Sequence, residues 1–315
     1  MKAKHVIIYL LLVIVTSSCI RDEAPNAEAD ILSCRLPGIT MTTSPIINNN
    51  SVTLFVTPGT NISALAPEFT LTSGATITPA SGTERNFNSP QEYQVTAADG
   101  IWKKTYAISV IDTELATIYN FEDTISGKKY YIFVERENDK VIMEWASGNA
   151  GYAMTGVAKT ADDYPTFQIA NGKNGKCLSL VTRSTGFFGG LVGMPIAAGN
   201  LFIGSFDVNN AMSNPLQATK FGLPFRHVPT YLAGYYKYKA GDQFTEGGKP
   251  VEGKRDICDI YAIMYETSVS VPTLDGTNAF TSPNLVSMAR IKDAKETDEW
   301  TYFCLLYTSD AADEL

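Results

Sequence analysis

The chain has 315 residues, room for roughly two domains at about 100–200 residues each. Its 44% hydrophobic content can fill a core, which excludes wholesale disorder. Lys+Arg 25 against Asp+Glu 33 leaves a net charge of −8, which argues against nucleic acid or another polyanion as partner. The two histidines, His5 and His227, rule out mechanisms that need a histidine cluster, including three-His and HExxH zinc sites. At the start, Lys2 and Lys4 precede an apolar run from Val6 to Val15. That run is too short to span a bilayer and has the charge order of a secretory signal, so residues 1–18 are expected to be cleaved on export.

Thr16-Ser17-Ser18-Cys19 resembles a bacterial lipobox, with threonine where leucine is usual. The resemblance implies lipidation of Cys19, and each buried CH₂ of an acyl chain contributes about 0.8 kcal/mol to membrane retention. Residues 19–29 then form a tether. Within it, Ile20-Arg21-Asp22-Glu23 is similar to the tag that sends Bacteroidetes lipoproteins to the outer face, implying an outer-membrane protein facing the exterior.

From residue 30 to 112 short strands alternate with turns. Val52, Leu54 and Val56 share one face of a strand that Thr57-Pro58-Gly59-Thr60 ends. Tyr93, Val95 and Ala97 lead through Asp99-Gly100 to Tyr106, Ile108 and Val110, a hairpin signal. The spacing predicts a small β-sandwich. Gly74 to Gly82 and Tyr93 to Gly100 resemble the immunoglobulin-like N-terminal modules of Bacteroidetes surface lipoproteins, which implies a spacer.

Residues 113–303 hold no apolar helix period for three turns, so this second unit is expected to be a larger β-sandwich, most plausibly a jelly roll. Five segments carry a resemblance: Phe121-Glu122-Asp123, Trp145 to Asn149, Ala197 to Phe206, Gly222 to Phe225 with Pro229, and Leu232 to Tyr238. Together they resemble the putative carbohydrate metabolism domain family, PCMD. The resemblance implies an exported, jelly-roll-like domain that binds or acts on glycans. Residues 304–315 resemble a translated sequencing adapter, so this domain is expected to be truncated near Phe303. Cys34, Cys177 and Cys258 then remain, and Cys177 with Cys258 is the first disulfide to test.

Tyr236 and Tyr238 lie on one face of a strand, and Tyr235, Lys237 and Lys239 on the other. Two rings roughly 6.7 Å apart would either stack on sugars or fill the core. Trp145 shares a face with Val141 and Met143 and carries the same two readings; Asn149 and Asn200 are turn residues or binders of sugar hydroxyls. The carbohydrate-binding set is therefore Trp145, Asn149, Asn200, Tyr236, Tyr238 and Lys237. Glu122 and Asp123 would be ligands if a structural calcium were held; no other cofactor is expected. Glycoside hydrolysis needs two converging carboxyl groups, and Glu122, Asp123, Glu144 and Asp259 lead the candidates, with Asp256 and Glu266 behind them. A lyase would instead draw a base from Tyr236 or His227 and a charge neutraliser from Lys237.

The favoured reading is a lipid-anchored protein with a glycan as ligand. A glycoside hydrolase or polysaccharide lyase is the first alternative, and a structural or adhesion protein the second. A carboxylate pair in a groove would favour the enzyme, and exposed Trp or Tyr without one the binder.

Overall fold

The computed structural model describes residues 26–268 and 270–308; the expected signal, Cys19 and the residues after Thr308 lie outside these. The first unit contains β1 (Ile31–Arg35), β2 (Ile46–Ile47), β3 (Ser51–Phe55), β4 (Glu68–Leu71), β5 (Thr76–Thr78), β6 (Gln91–Thr96) and β7 (Lys103–Ile111). Five of them form a sheet in the order β2-β3-β7-β6-β5, with β3 parallel to β7, while β1 pairs with β4. Val52, Leu54 and Val56 are buried together, as the alternation predicts, against Tyr93, Val95, Tyr106, Ile108 and Val110. Ile31 and Cys34 of β1 close the same core from the other layer. Complete burial of each such Val or Leu is worth about 1.5–3 kcal/mol, and this core holds the unit together.

The β6–β7 turn forms where Asp99-Gly100 predicts it. The Asp99 carboxylate accepts the N–H groups of Ile101 and Trp102 at 2.8 and 3.2 Å. Leaving this unit, Glu114 meets His227 of the second unit at 2.9 Å, so the histidine named as a possible lyase base is exposed and has a carboxylate partner.

The second unit is again built of strands. Its first part holds β8 (Val134–Glu137), β9 (Lys140–Ala146), the single-turn helix α1 (Asn149–Tyr152), β10 (Thr166–Ile169), β11 (Cys177–Leu180), β12 (Arg183–Ser184), α2 (Gly186–Leu191), β13 (Ile196–Ala197) and β14 (Phe202–Phe206). There follow α3 (Pro215–Ala218), β15 (Thr219–Phe221), β16 (Tyr231–Tyr238), β17 (Thr245–Glu246), β18 (Lys249–Pro250), β19 (Tyr261–Tyr265), β20 (Leu285–Arg290) and β21 (Thr297–Leu306). Among the described residues the all-β architecture is realised as one four-stranded sheet, β15-β14-β9-β8, and two-stranded ribbons that include β10-β11, β16-β21 and β19-β20. Bulges interrupt the β8–β9, β16–β21 and β19–β20 ladders. β21 continues past Phe303 to Leu306, so the first residues of the expected adapter segment are paired with β16.

The Cys177–Cys258 bridge, the first pairing to test, is not formed: Cys34, Cys177, Cys258 and Cys304 are all free thiols. Burial pushes the Cys34 thiol up to about 12, far from the reactive thiolate form.

Candidate functional site

Three arrangements position the side chains of interest. The first starts at Phe121, which adopts a left-handed backbone with φ 56°, costly for a residue with a Cβ. Gln168 of β10 holds it there, donating from Nε2 to the carbonyls of Phe121 and Glu122 at 2.7 and 3.0 Å. The Glu122 carboxylate accepts the Lys176 N–H at 2.9 Å and lies where a Cβ on Gly175 would clash, so it pins the β10–β11 turn. Glu122 is thus spent on structure. Asp123 instead is exposed, and its charge acts on Glu135. The two acids serve different neighbours, and no group of three His, Cys, Asp or Glu suited to a metal ion occurs among the described residues. A structural calcium, if held at Glu122 and Asp123, would draw on two acids with different partners.

The second arrangement surrounds Trp145. Its indole donates to Glu135 at 2.8 Å and its ring is boxed by Tyr119 and Phe121 at 5.0 and 5.4 Å. Register explains the pairing: Glu135 faces Met143 across the β8–β9 ladder and so shares a face with Trp145. Partial burial raises the Glu135 carboxyl above its usual range; the indole hydrogen bond opposes the rise and Asp123 adds to it. Tyr119 is pushed up to about 12, by burial first and then by Glu135.

Asn149 and Asn200 do not face a ligand. Asn149 is completely buried, donating to the Thr166 carbonyl at 2.7 Å and accepting the Thr166 N–H at 3.1 Å. The Asn200 side chain accepts the Gly148 N–H at 2.7 Å, while its carbonyl takes the Thr166 hydroxyl at 2.7 Å. These amides latch β9, β10 and β14 together; the sequence reading of Asn149 as a sugar ligand is corrected, because it is fully buried with both amide atoms engaged by backbone, whereas half-buried Asn200 spends its Oδ1 on Gly148.

The third arrangement is the β16–β21 ribbon. Exposure alternates along β16, with Tyr236 and Tyr238 facing inward. The Tyr236 hydroxyl reaches the Lys295 carbonyl at 3.4 Å, and the Tyr238 hydroxyl is buried without a partner among the described residues and pushed up to about 12, chiefly by desolvation. The pair named as a sugar platform is therefore half-buried on the inward side, nearer to the other of the two readings. The outer face carries the exposed rings instead. Tyr235 lies opposite Tyr302 with centroids 5.3 Å apart, 48% and 56% exposed, and Tyr231 continues the row. Lys237, on this face as expected, places its ammonium 5.3 Å from the Trp300 ring, and Lys173 from the β10–β11 turn sits 4.2 Å from the Tyr235 ring.

The remaining carboxylates lead elsewhere. Asp259 is bidentate with Arg290 at 3.1 and 2.8 Å, which removes it as a catalytic group. Glu144 keeps solvent contact on the face opposite Trp145; crowding by protein raises its carboxyl and Lys128 opposes the rise. The sequence reading missed Tyr231, Tyr235, Trp300, Tyr302, Lys173 and Glu135. The placing of Tyr235 on the face opposite Tyr236 was the one sequence signal that pointed to the outer face.

Residues 120–313 match the family model described as putative carbohydrate metabolism domain. The chain belongs to the PCMD family. Ahead of the PCMD region, residues 31–110 match the model described as SGBP, N-terminal. The PCMD chain is similar to a crystal structure from Bacteroides thetaiotaomicron VPI-5482 described as a putative glycoside hydrolase, at 84% identity over 92% of this chain and 85% of that one, with a TM-score of 0.88. A second protein so described, from Bacteroides vulgatus ATCC 8482, is 46% identical over 62% of this chain and 80% of its own, with a TM-score of 0.57. No curated protein matches. These matches support carbohydrate handling as the functional class of this PCMD protein.

Proposed function

We propose that this PCMD protein is a surface lipoprotein, anchored to the outer membrane through Cys19, that retains a glycan on the outer face of the β16–β21 ribbon. The observation that carries the reading is the exposed pair Tyr235 and Tyr302, two rings with centroids 5.3 Å apart and about half of each open to solvent, the Lys173 ammonium lying over Tyr235 and the Tyr302 hydroxyl bonded to Cys304. The match to the SGBP N-terminal model agrees with a place at the cell surface. Covering roughly 60 Å² of each ring at about 25 cal/mol per Å² is worth about 1.5 kcal/mol, near tenfold in affinity per tyrosine. Tyr235→Ala with Tyr302→Ala is expected to weaken glycan retention on affinity gels by about a hundredfold with an unchanged melting transition. Retention that survives both substitutions would refute the reading. Labelling with a radioactive fatty acid, abolished by Cys19→Ala, tests the anchor.

A second reading, glycoside hydrolysis, has one observation behind it. Glu135 is a half-buried carboxyl raised toward the protonated form, with the Asp123 charge acting on it and an aromatic wall of Tyr119, Phe121 and Trp145 beside it. Release of reducing ends from a glycan by the natural protein, absent in Glu135→Gln, would establish it; no release from the glycans retained on the gels would remove it.

A further inference from the structure

The outer face of the β16–β21 ribbon carries charge as well as rings. Lys173 and Lys237 are both exposed, and each holds its ammonium over an aromatic ring, Tyr235 at 4.2 Å and Trp300 at 5.3 Å. Among the described residues neither has a carboxylate at ion-pairing distance, although acids outnumber bases in the chain. Lys173 is placed there by construction. Its turn is closed by the Gly172 N–H on the Gly175 carbonyl at 2.9 Å and pinned from below by Glu122, whose own charge is engaged by the Lys176 N–H. Lysines from two separate segments thus hold positive charge against rings of this face.

Resting on the reading that this face holds a glycan, we propose that the glycan is acidic: a saccharide with at least one carboxylate- or sulfate-bearing unit, its ring over Tyr302 and its anionic group between Lys173 and Lys237. A cation stacked on an aromatic ring stays available to an anion on its open side. The overall charge of −8 argues against a dense polyanion far from the surface. At physiological ionic strength that field is screened within about 8 Å, so at contact the two unpaired lysines dominate.

The test measures binding of the full natural protein by affinity electrophoresis to two matched pairs of polymers: polygalacturonate with its methyl ester, and dextran sulfate with dextran. Expected is a preference of roughly tenfold for the acidic member of at least one pair, shrinking as salt rises past about 0.15 M. Which pair shows it tells carboxylate from sulfate. Lys173→Gln with Lys237→Gln is expected to abolish the preference while leaving the melting transition in place. Lys103→Gln with Lys159→Gln, an equal charge change at exposed lysines elsewhere, is expected to keep it. Equal retention of acidic and neutral members overturns the inference and leaves the glycan reading intact. Loss of the preference in both lysine pairs overturns it as unspecific attraction. No retention of any polymer overturns it together with that reading, as does a dimer that Tyr235→Ala with Tyr302→Ala dissolves, since a second copy would then be what covers the face.

Discussion

Replacing Asn149 by alanine strands both the N–H and the carbonyl of Thr166 in a region where Asn149 itself is 0% and Thr166 1% exposed. Each buried polar group left without a partner costs about 1–3 kcal/mol, and the small void left by the amide adds to that. The expected loss is about 3–5 kcal/mol for the second unit. With an m-value of about 2 kcal/mol/M in urea, the midpoint falls by roughly 2 M. Trp145 and Trp300 report this unit by fluorescence, while Trp102 reports the first, so two transitions can be followed separately. Asn149→Asp, at a pH where its carboxyl is protonated, keeps an acceptor for the Thr166 N–H and an O–H donor for the Thr166 carbonyl, and is expected to cost less than alanine there and more once the carboxyl ionises. An alanine variant that unfolds within about 0.3 M of the parent, yet no longer retains glycan, would refute the latch and restore Asn149 as a ligand.

Two further expectations concern pH and backbone. Because the Glu135 carboxyl is raised in the folded state, the fold binds its proton more tightly than the unfolded chain does. Its charge therefore costs stability as pH rises from the ordinary glutamate range through the raised value, and costs nothing below that range. Glu135→Gln, which keeps an acceptor for the Trp145 indole, is expected to match the parent in urea at pH 4 and exceed it at pH 7.5; a difference independent of pH would disprove the linkage. At Gly204, φ is 139° and an added Cβ would sit 1.9 Å from the Lys220 carbonyl oxygen across the β14–β15 ladder. Gly204→Ala is expected to cost about 2–4 kcal/mol, some 5–15 °C in melting temperature, and a shift under about 2 °C would show that the strands can part without penalty.

The legible parts of the fold were those governed by local pattern. Val52, Leu54 and Val56 recur at every second position, and Asp99-Gly100 supplies its own turn chemistry, so strand and hairpin could be read from a few consecutive residues. The split of Tyr236 and Tyr238 from Tyr235 and Lys237 was legible for the same reason. Which face points inward was not, because both carry tyrosines and the alternation has no polarity contrast. That choice depends on the register of β16 against β21, a pairing of distant segments. Glu135 escaped notice beside the charged Arg136 and Glu137, since its burial comes from rings brought in by Tyr119 and Trp145. Asn149 looked like a turn residue because composition cannot reveal that Thr166 closes over it.

The attachment of the β10–β11 turn to Glu122 separates two properties that usually vary together. The rings of the ribbon belong to β16 and β21, whereas the ammonium above them hangs from a carboxylate 54 positions earlier than Lys176. An exchange at Glu122 would slacken the turn without touching a single ring. Selectivity among saccharides and strength of grip could then drift independently, each under the control of its own stretch of chain.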